Sequence, residues 1–267
     1  MPGPADLDIR ERALQLAIRA AGDLAIERFA RRDATISFKG PQDYLSEVDA
    51  AVEQLLADSL LAACPGDAFL GEEGGGEWVG DRVWVVDPID GTANFLRGIG
   101  HFCVSVGFLA DGAVQLGAIL NPSTDELFFA RRGRGATLNG APMRVASTDR
   151  IEQASVEVGW SSRMPAADYL SLCARVLESG AAFRRVGSGA LGIAYVADGR
   201  QDAYVELHIN AWDCLAGLLL VEEAGGRVND FLAGDGLRSG NPILVAAPGI
   251  ADAVARVTGV PLLPATR

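Results

Sequence analysis

Two aspartates, Asp87 and Asp90, stand three residues apart at the end of a run of β-branched and aromatic residues, 83–86. The run predicts a buried strand, and Pro88 favours an extended conformation at Asp87 rather than a helix. Because hard divalent cations take oxygen ligands, paired carboxylates at a strand end could hold such an ion. Asp-Pro and Asp-Gly are also common turn dipeptides, and this segment alone leaves both interpretations open.

The residues after Asp90 could bind an anion beside these carboxylates. Gly91 lets the backbone approach a ligand closely, and residues 92–95 could open a short helix whose first N–H groups have no intrahelical partner. Such a helix start attracts phosphate groups. The segment therefore predicts a cation site next to a phosphate site, an arrangement suited to metal-assisted phosphate chemistry.

Three further acids are candidates for the same chemistry, and each has a structural alternative. Asp49 lies three residues after Ser46 and fits a capping box at the start of a helix predicted over 46–63. Asp213 falls in the first turn of a long apolar helix, where the helix dipole favours an anion. Glu72 ends a short apolar segment in a glycine-rich loop, which could be only a solvated loop.

A glycine-rich hexapeptide, 187–192, fits the pattern Gly-x-Gly-x-x-Gly between a predicted strand and a predicted helix. Glu206 follows at nearly the distance of a ribose-binding acid, so a dinucleotide site is one interpretation. Such a fingerprint usually opens a series of βαβ repeats, and few such units can follow here. Tight strand–helix packing, or a helix start that faces the same ligand as Asp90, remain alternatives.

Composition sets limits on the class of protein. The chain has 267 residues, of which 49% are hydrophobic, enough for one large domain or two packed halves, predicted as 1–150 and 151–267. The net charge of −12 argues against nucleic acids and anionic membranes as partners. The basic tract 131–135 is short and has no interleaved aromatic residues. A phosphate substrate would need local cations to offset the acidic field.

Cysteine and histidine usage excludes other chemistries. The four cysteines form no Cys-x-x-Cys pair, which argues against a zinc ribbon or a redox motif. The two histidines, His101 and His208, have no partner at metal-ligand spacing, and they argue against a Ser-His-Asp or Cys-His hydrolase. Acids near the N-terminus and the lack of a long apolar run predict a cytoplasmic protein without a membrane span.

Periodicity and turn signals predict the elements that must position these residues. Helices are expected at 7–29, 46–63, 166–179, from about 190 to 197, from about 211 to 224, and at 251–257. Strands are expected at 35–38, 83–86, 101–109, 113–120, 127–130, 155–158, 183–186, 203–207 and 243–247. The strands between 101 and 130 predict an antiparallel meander joined by Asp111-Gly112.

Taken together, the motifs resemble those of the inositol monophosphatase family and come in that family's order. They span residues 39–226 and comprise Asp43-x-x-Ser46-x-x-Asp49, Gly71-Glu72-Glu73, Trp84-x-x-Asp87-Pro88-Ile89-Asp90-Gly91-Thr92-x-Asn94-Phe95, and Trp212-Asp213-x-x-Ala216-Gly217 closing in Glu223-Ala224-Gly225-Gly226. The resemblance implies an α+β fold, a layered αβαβα sandwich, and a magnesium-dependent phosphatase acting on small phosphate monoesters.

The resemblance also implies a set of metal ligands for two or three Mg²⁺ ions. One ion would be held by Glu72, Asp87 and the carbonyl of Ile89, and a second by Asp87, Asp90 and Asp213. Asp87 would bridge the two. Oxygen-only ligands suit Mg²⁺, and paired ions about 3.5–4 Å apart can hold both the attacking and the leaving oxygen of a phosphoryl group.

Catalytic and substrate roles follow from the same resemblance. Thr92 and Asp49 are similar to the family's hydroxyl–carboxylate pair, which orients a water for attack on phosphorus together with Glu72. The amides of Gly91 and Thr92 would stabilise charge on the phosphate oxygens. The substrate-side residues implied are Gly187, Ser188, Gly189, Glu206 and Asp213.

The substrate itself stays open at this point. Gly189 and Asn210 occupy sugar-side positions that vary among relatives, and related phosphatases act on fructose bisphosphate, histidinol phosphate, adenosine bisphosphate or NADP. Lithium sensitivity and a homodimer are further expectations from the resemblance. A dinucleotide oxidoreductase built on 187–192 and a non-catalytic magnesium-binding regulatory protein are the alternatives from other classes.

Overall fold

The computed structural model describes residues 4–32, 36–40, 43–74 and 80–264, with side chains described in 6–32, 46–74 and 80–264. Thr35, which opens a predicted strand, and Gly75 and Gly76 of the predicted loop lie outside the described residues. The side chains of Lys39 and Asp43, which belong to the motifs above, lie outside them as well.

The helices follow the predicted periodicity closely. They are α1 (Pro4–Arg31), α2 (Glu47–Ala63), α3 (Thr92–Leu96), α4 (Ala166–Glu178), α5 (Gly189–Ala197), α6 (Ala211–Glu223), α7 (Gly236–Ser239) and α8 (Ala251–Thr258), with one 3₁₀ turn at Ile151–Gln153. The strands are β1 (Ile36–Gly40), β2 (Asp43–Ser46), β3 (Ala68–Gly71), β4 (Arg82–Asp90), β5 (Cys103–Ala110), β6 (Ala113–Asn121), β7 (Glu126–Arg131), β8 (Ala136–Leu138), β9 (Ala141–Pro142), β10 (Ser155–Val158), β11 (Ala182–Arg184), β12 (Ala203–Ile209), β13 (Arg227–Val228) and β14 (Asn241–Ala246).

A seven-stranded sheet in the order β3-β4-β5-β6-β7-β8-β9 forms one layer. β3 and β4 pair in parallel, and the remaining neighbours pair antiparallel, as the predicted meander requires. Alternate residues of β4 enter different clusters: Trp84 and Val86 pack with α1 and α2, and Val83 and Val85 pack with α5 and α6. Since successive side chains point to opposite faces, helices cover both sides of this sheet.

A five-stranded sheet in the order β11-β10-β12-β14-β13 forms the second β layer. Its inner face, which includes Tyr204 and Ile243, packs against α5 and α6 in the largest hydrophobic cluster. Its outer face, which includes Val205, packs against Leu172 of α4 and Val254 of α8. The layers therefore alternate helix, sheet, helix, sheet, helix, and the α+β sandwich expected from the sequence is confirmed.

Several local features differ from the prediction, since β3, β8, β9, β13 and α7 were not among the predicted elements. β4 continues through Asp90 instead of ending before Asp87, with an irregularity in its pairing with β5 between those two residues. Two residues of β4 there oppose one of β5, which is the geometry of a β-bulge, and Pro88 suits a bulge because it has no N–H to donate. The hairpin of β1 and β2 was also missed, since Gly40 and Pro41 suggested only a break.

The division into halves 1–150 and 151–267 remains a prediction. The largest hydrophobic cluster contains residues from both halves. All four cysteines are free, and Cys64, Cys103 and Cys214 are buried, as expected for structural thiols. Within the described part of the chain, none of the helices combines the length and apolarity needed to span a bilayer.

Candidate active site

Three aspartates from distant parts of the chain meet between the two sheets. Asp87 and Asp90 come from the bulged end of β4, and Asp213 comes from the first turn of α6. One carboxylate oxygen from each lies within 4.8 Å of the others. The approach of α6 depends on Gly117 of β6, where a Cβ atom would lie only 2.7 Å from the carbonyl oxygen of Ala216. The three-aspartate cluster is thus a product of sheet–helix packing.

The electrostatics of this cluster call for a cation. Burial raises the pKa of Asp87 well above its ordinary value, and the negative charges of Glu72, Asp90 and Asp213 raise it further. Burial and the charge of Asp90 raise the pKa of Asp213 to about 7. Among the described residues, no Lys, Arg or His forms an ion pair with these three aspartates. Buried carboxylates without a cationic partner are costly, and an oxygen-only donor set fits a hard divalent ion such as Mg²⁺.

The start of α5 is engaged by Asp90. The backbone N–H of Ala190 donates to Asp90 Oδ2 at 2.8 Å, that of Gly189 donates to Oδ1 at 3.3 Å, and the Ser188 hydroxyl also donates to Oδ2. These donors hold the carboxylate at the helix start and favour its charged form. The same amides are not free for a pyrophosphate, which weakens the dinucleotide interpretation of 187–192. Gly192 has a packing role, because a Cβ there would lie 2.6 Å from the Tyr204 ring.

Asp49 caps its helix and also contacts the predicted catalytic threonine. It is fully buried, and its Oδ2 accepts the backbone N–H of Ser46 at 3.1 Å in a capping box. Its Oδ1 lies 3.2 Å from the Thr92 hydroxyl, which also lies 2.9 Å from the carbonyl oxygen of Ile89. The structural and the chemical interpretations of Asp49 therefore hold together, since a carboxylate has two oxygens to share.

Glu72 lies beside the three-aspartate cluster without belonging to it. Its backbone N–H donates to the carbonyl of Val86 at 3.1 Å, extending the pairing of β3 with β4. Its charge raises the pKa of Asp87, and its side chain lines the cavity that Asp213 also lines. The roles of Glu72 and of the Ile89 carbonyl as metal ligands stay predictions.

Sequence reasoning missed Glu53, which holds the loop that carries Glu72. Glu53 is buried, and its two carboxylate oxygens accept the backbone N–H groups of Glu73 at 2.9 Å and Gly74 at 2.6 Å. A Cβ at Gly71 would lie 2.2 Å from the same carboxylate, so this glycine makes room for the contact. The available signal was spacing, because Glu53 follows Asp49 by four residues and shares its helix face.

Gly91 and Asn94 shape the turn next to the aspartates. Gly91 has φ +93°, and a Cβ there would lie 3.0 Å from the carbonyl oxygen of His101, so both conformation and space require glycine. The Asn94 amide donates to the carbonyls of His101 at 2.8 Å and Val186 at 3.0 Å and joins the two halves of the site. Asn94 belonged to the sequence motif but had no assigned role. Phosphate binding by the amides of Gly91 and Thr92 remains a prediction.

Two cavities adjoin the three-aspartate cluster. The inner cavity, about 160 Å³, is lined by the predicted substrate residues Gly187, Ser188, Gly189, Glu206 and Asp213, together with Asp90, Glu157, Gly159, Trp160, Arg185, Tyr204 and Ile209. The outer cavity, about 570 Å³, is lined by residues that include Glu72, Trp160, Arg163, Arg185 and His208. Pockets of a few hundred Å³ accommodate small-molecule ligands. Trp160 and Arg185 were not among the predicted site residues.

Glu206 sits on the wall of both cavities. It accepts the Tyr204 hydroxyl at 2.6 Å, and burial raises its pKa to about 8. A Cβ at Gly159 would lie 2.1 Å from a Glu206 oxygen, so that glycine leaves space for this side chain. The other carboxyl oxygen of Glu206 has no hydrogen-bond partner among the described residues, which suits it to a ligand hydroxyl. This role stays a prediction.

Two of the three arginines in the basic tract 131–135 form ion pairs within the protein. Arg131 is buried against Asp8 and Glu11, and Arg132 donates to Glu222 at 2.8 Å. The tract is therefore a structural element of the described fold. The expectation that nucleic acid is not a partner stays a prediction.

A layered αβαβα sandwich that gathers buried aspartates beside a glycine-led helix start defines a class of protein, and comparison with known families agrees. The model of the inositol monophosphatase family matches residues 7–258. The chain therefore belongs to the inositol monophosphatase family.

Individual relatives carry two kinds of name. The Nus factor SuhB of Pseudomonas aeruginosa is 42% identical over 225 residues, covering 80% of this chain and 83% of that protein. The inositol-1-monophosphatase of Rhizobium meliloti is 38% identical over 255 residues, covering 93% of this chain and 95% of that protein. The crystal structure of the extragenic suppressor protein suhB from Bartonella henselae superposes with a TM-score of 0.87 at 35% identity, covering 93% and 97% of the two chains.

Proposed function

We propose that the chain is a Mg²⁺-dependent phosphomonoesterase that hydrolyses inositol monophosphate or a similar small sugar phosphate. The observation that carries the proposal is the cluster of Asp87, Asp90 and Asp213, whose oxygens lie within 4.8 Å of one another next to two connected candidate substrate cavities. Family membership and the name of the Rhizobium meliloti relative support the same reaction class.

The residues that would hold Mg²⁺ are Asp87, Asp90 and Asp213, with Glu72 and the carbonyl of Ile89 completing the set for a second ion. When bound, divalent ions would supply positive charge to the phosphate oxygens and acidify the attacking water. The donors from the start of α5 hold Asp90 in place and lower its pKa against the larger effect of burial, which favours the charged form that a cation needs.

The chain's own residues account for the positioning of water and phosphate. Asp49 and the Ile89 carbonyl fix the hydroxyl of Thr92, whose oxygen can then accept a hydrogen bond from a water aimed at phosphorus. As the water attacks, its proton would pass by way of this hydroxyl to the Asp49 carboxylate. The water oxygen forms a bond to phosphorus, the ester P–O bond breaks, and the departing alcohol takes up a proton. Amides at Gly91 and Thr92 would stabilise charge on the non-bridging oxygens. Glu206 would accept a hydroxyl of the alcohol.

Phosphate release from inositol 1-phosphate, fructose 1,6-bisphosphate, histidinol phosphate, adenosine 3′,5′-bisphosphate and NADP tests this proposal and ranks the substrates. We expect release in Mg²⁺, loss of release in excess EDTA, and recovery when Mg²⁺ is restored. Equal release in EDTA would refute the proposal. Lithium is expected to inhibit, on the family resemblance.

The name Nus factor SuhB, carried by several relatives, favours a second candidate, a regulatory binding role. Replacement of Asp90 or Asp213 by Asn separates the two candidates in cells that lack the native chain. A regulatory role indifferent to metal survives both substitutions, whereas a phenotype caused by phosphatase activity does not.

Homodimer formation and cytoplasmic location are also proposals, taken from the resemblance and the sequence. Sedimentation equilibrium of the purified chain tests the first, and a single species of one chain's mass would contradict it. Fractionation of the native cells tests the second.

A further inference from the structure

Arg185 brings to the acidic site a positive charge that forms no direct ion pair with a described residue. It follows β11 directly, is exposed, and lines both the inner and the outer cavity. Its Nη1 lies over Gly187, where a Cβ atom would come within 3.0 Å of it. Within the described part of the chain, its guanidinium has no hydrogen-bond or ion-pair partner. The guanidinium of Arg185 is therefore accessible to a ligand, although the chain as a whole has a net charge of −12.

The residues around Arg185 lie where the alcohol part of a phosphate monoester would bind. Its charge acts on two groups there, lowering the pKa of both Glu206 and Tyr169 against the effect of burial. Tyr169 packs edge-on against Trp160 with ring centroids 5.0 Å apart. The guanidinium thus faces a pocket with an aromatic wall and a buried acid that is already bonded to Tyr204.

Other polar atoms of the outer cavity also lack partners among the described residues. The indole Nε1 of Trp212 and the Nδ1 of His208 are buried without a hydrogen bond. Because His208 Nε2 lies 2.9 Å from the carbonyl oxygen of Ser239, Nε2 carries the proton and Nδ1 is an acceptor. Arg163 lines the same cavity. Both atoms are shielded from solvent, and the exposed side chains that line this cavity include Arg163 and Arg185.

A neutral polyol bound in these cavities gives the guanidinium of Arg185 no charged acceptor. Glu206 can accept a hydroxyl, but a guanidinium covered by a neutral ligand loses water without gaining an acceptor of full charge. A carboxylate or phosphate on the alcohol would accept its planar pair of N–H donors and form charge-assisted hydrogen bonds. The outer cavity is large enough to hold a small sugar with such a group.

We propose that Arg185 selects phosphate monoesters whose alcohol carries a second anionic group over esters of neutral polyols. The inference rests on the proposed phosphatase function and narrows its substrate class. Hydrolysis itself is unchanged: water bonds to phosphorus, the ester bond breaks, and the second anion stays on the alcohol product.

The experiment uses substrate pairs that differ in one group. 2-Phosphoglycerate is compared with glycerol 2-phosphate, and fructose 1,6-bisphosphate with fructose 1-phosphate, by kcat/KM in saturating Mg²⁺. The full chain, Arg185→Gln, Arg185→Lys and the control Arg184→Gln are assayed together. Arg184 is an exposed neighbour that lines neither cavity.

The full chain is expected to prefer the anionic member of at least one pair. Arg185→Gln should lower that preference by about 10- to 100-fold, the range for loss of a charge-assisted hydrogen bond. Arg185→Lys should retain part of it, and Arg184→Gln all of it. If Arg185→Gln lowers the preference only in the 2-phosphoglycerate pair, the second anion is a carboxylate. If it does so only in the fructose 1,6-bisphosphate pair, the second anion is a phosphate.

Two results overturn the inference and are distinguishable. If Arg185→Gln slows both members of each pair equally, or changes neither, the selection claim fails while the phosphatase proposal stands. If the full chain with Mg²⁺ releases phosphate from none of these esters, nor from the wider set named above, the phosphatase proposal fails and takes the inference with it. Circular dichroism of each variant checks that the exposed substitutions leave the fold intact.

Discussion

The starts of α2 and α6 are built alike and serve different purposes. Each begins with a capping box, in which an aspartate at the third helical position accepts the backbone N–H of the capping residue at 3.1 Å. Asp49 is that aspartate in α2, and Asp213 is that aspartate in α6. Locally the two side chains are interchangeable, so nothing within either helix start distinguishes a structural acid from a metal ligand.

Their tertiary surroundings separate them. Burial raises the pKa of Asp49, but the hydroxyls of Ser46 and Thr92 act in the opposite direction, so its charge is met by donors. Asp213 faces Asp87 and Asp90, and burial together with the charge of Asp90 raises its pKa to about 7. The same motif therefore fixes a hydroxyl at one helix start and, at the other, creates a demand for a cation.

Among these variants, Asp213→Asn should have the largest effect on phosphate release, and it should also change the stability of the metal-free protein. Phosphate release should fall by about 10³-fold, the upper end for loss of one group that acts on developing charge. The metal-free protein should become more stable, because the amide keeps an oxygen for the Asn210 N–H and removes one charge from the three-aspartate cluster. Activity assays and urea unfolding in EDTA measure the two effects.

The control is Asp252→Asn, which replaces an exposed acid in the first turn of α8. A less stable Asp213→Asn protein would contradict the comparison of the two helix starts.

Asp49→Asn should act in the opposite direction on stability. Its buried NH₂ group would face hydroxyl donors, at a cost of about 1–3 kcal/mol. Phosphate release should fall by about 10²-fold, since Thr92 loses the partner that orients it. Urea unfolding and kcat measure these changes, with exposed Glu47→Gln at the same helix start as the control. Stabilisation by Asp49→Asn would show that the two helix starts are equivalent after all.

Glu53→Gln should have a smaller and more selective effect. The amide can accept only one of the N–H groups of Glu73 and Gly74, so the loop that carries Glu72 is held less firmly. The Mg²⁺ concentration for half-maximal activity should rise about 10-fold, in the range for loss of a group that supports a metal ligand. Stabilisation by Mg²⁺ in thermal unfolding gives a second readout. Asp58→Asn, exposed on the same helix, should leave both values unchanged, and equal Mg²⁺ requirements for Glu53→Gln and the parent chain would exclude this role.

The pH dependence of the metal-free chain should show the smallest effect. The folded-state pKa values of Asp213 and Glu206, about 7 and about 8, lie above the ordinary pKa values of these carboxyl groups, because burial disfavours their charged forms. The folded state then binds more protons, so their stability contribution is full at low pH and is lost as pH rises through 7 and 8. We expect at least about 1 kcal/mol of loss between pH 6 and 8, since one pKa unit equals about 1.4 kcal/mol.

Urea unfolding in EDTA measures this dependence. Mg²⁺ should flatten it, because a bound cation favours the charged carboxylates. Asp213→Asn should remove the part centred near pH 7. Stability that rises over the same range would mean that these acids are charged in the metal-free fold.

Much of the site could be predicted because its signals are local. The β-branched run before Asp87, the glycine that begins α3, and the capping patterns at Ser46 and Asn210 each involve neighbouring residues. The family resemblance then joined Asp213 to Asp87 and Asp90, and the structure brings those three together. Glu72 was expected to hold a separate ion together with Asp87 and the Ile89 carbonyl, and that role stays a prediction.

The sequence by itself determined most of the helices, the longer strands and the acids available for a metal, and the family resemblance added the layered class of fold. Only the tertiary structure decided which capping acid faces other acids, that the start of α5 holds Asp90, that Glu53 holds the Glu72 loop, and that Arg185 opens onto the cavities. The physical reason is the distance along the chain over which each kind of interaction acts. Backbone conformation and capping depend on residues a few positions apart, whereas the charge and burial around a side chain depend on segments that packing brings together from across the chain.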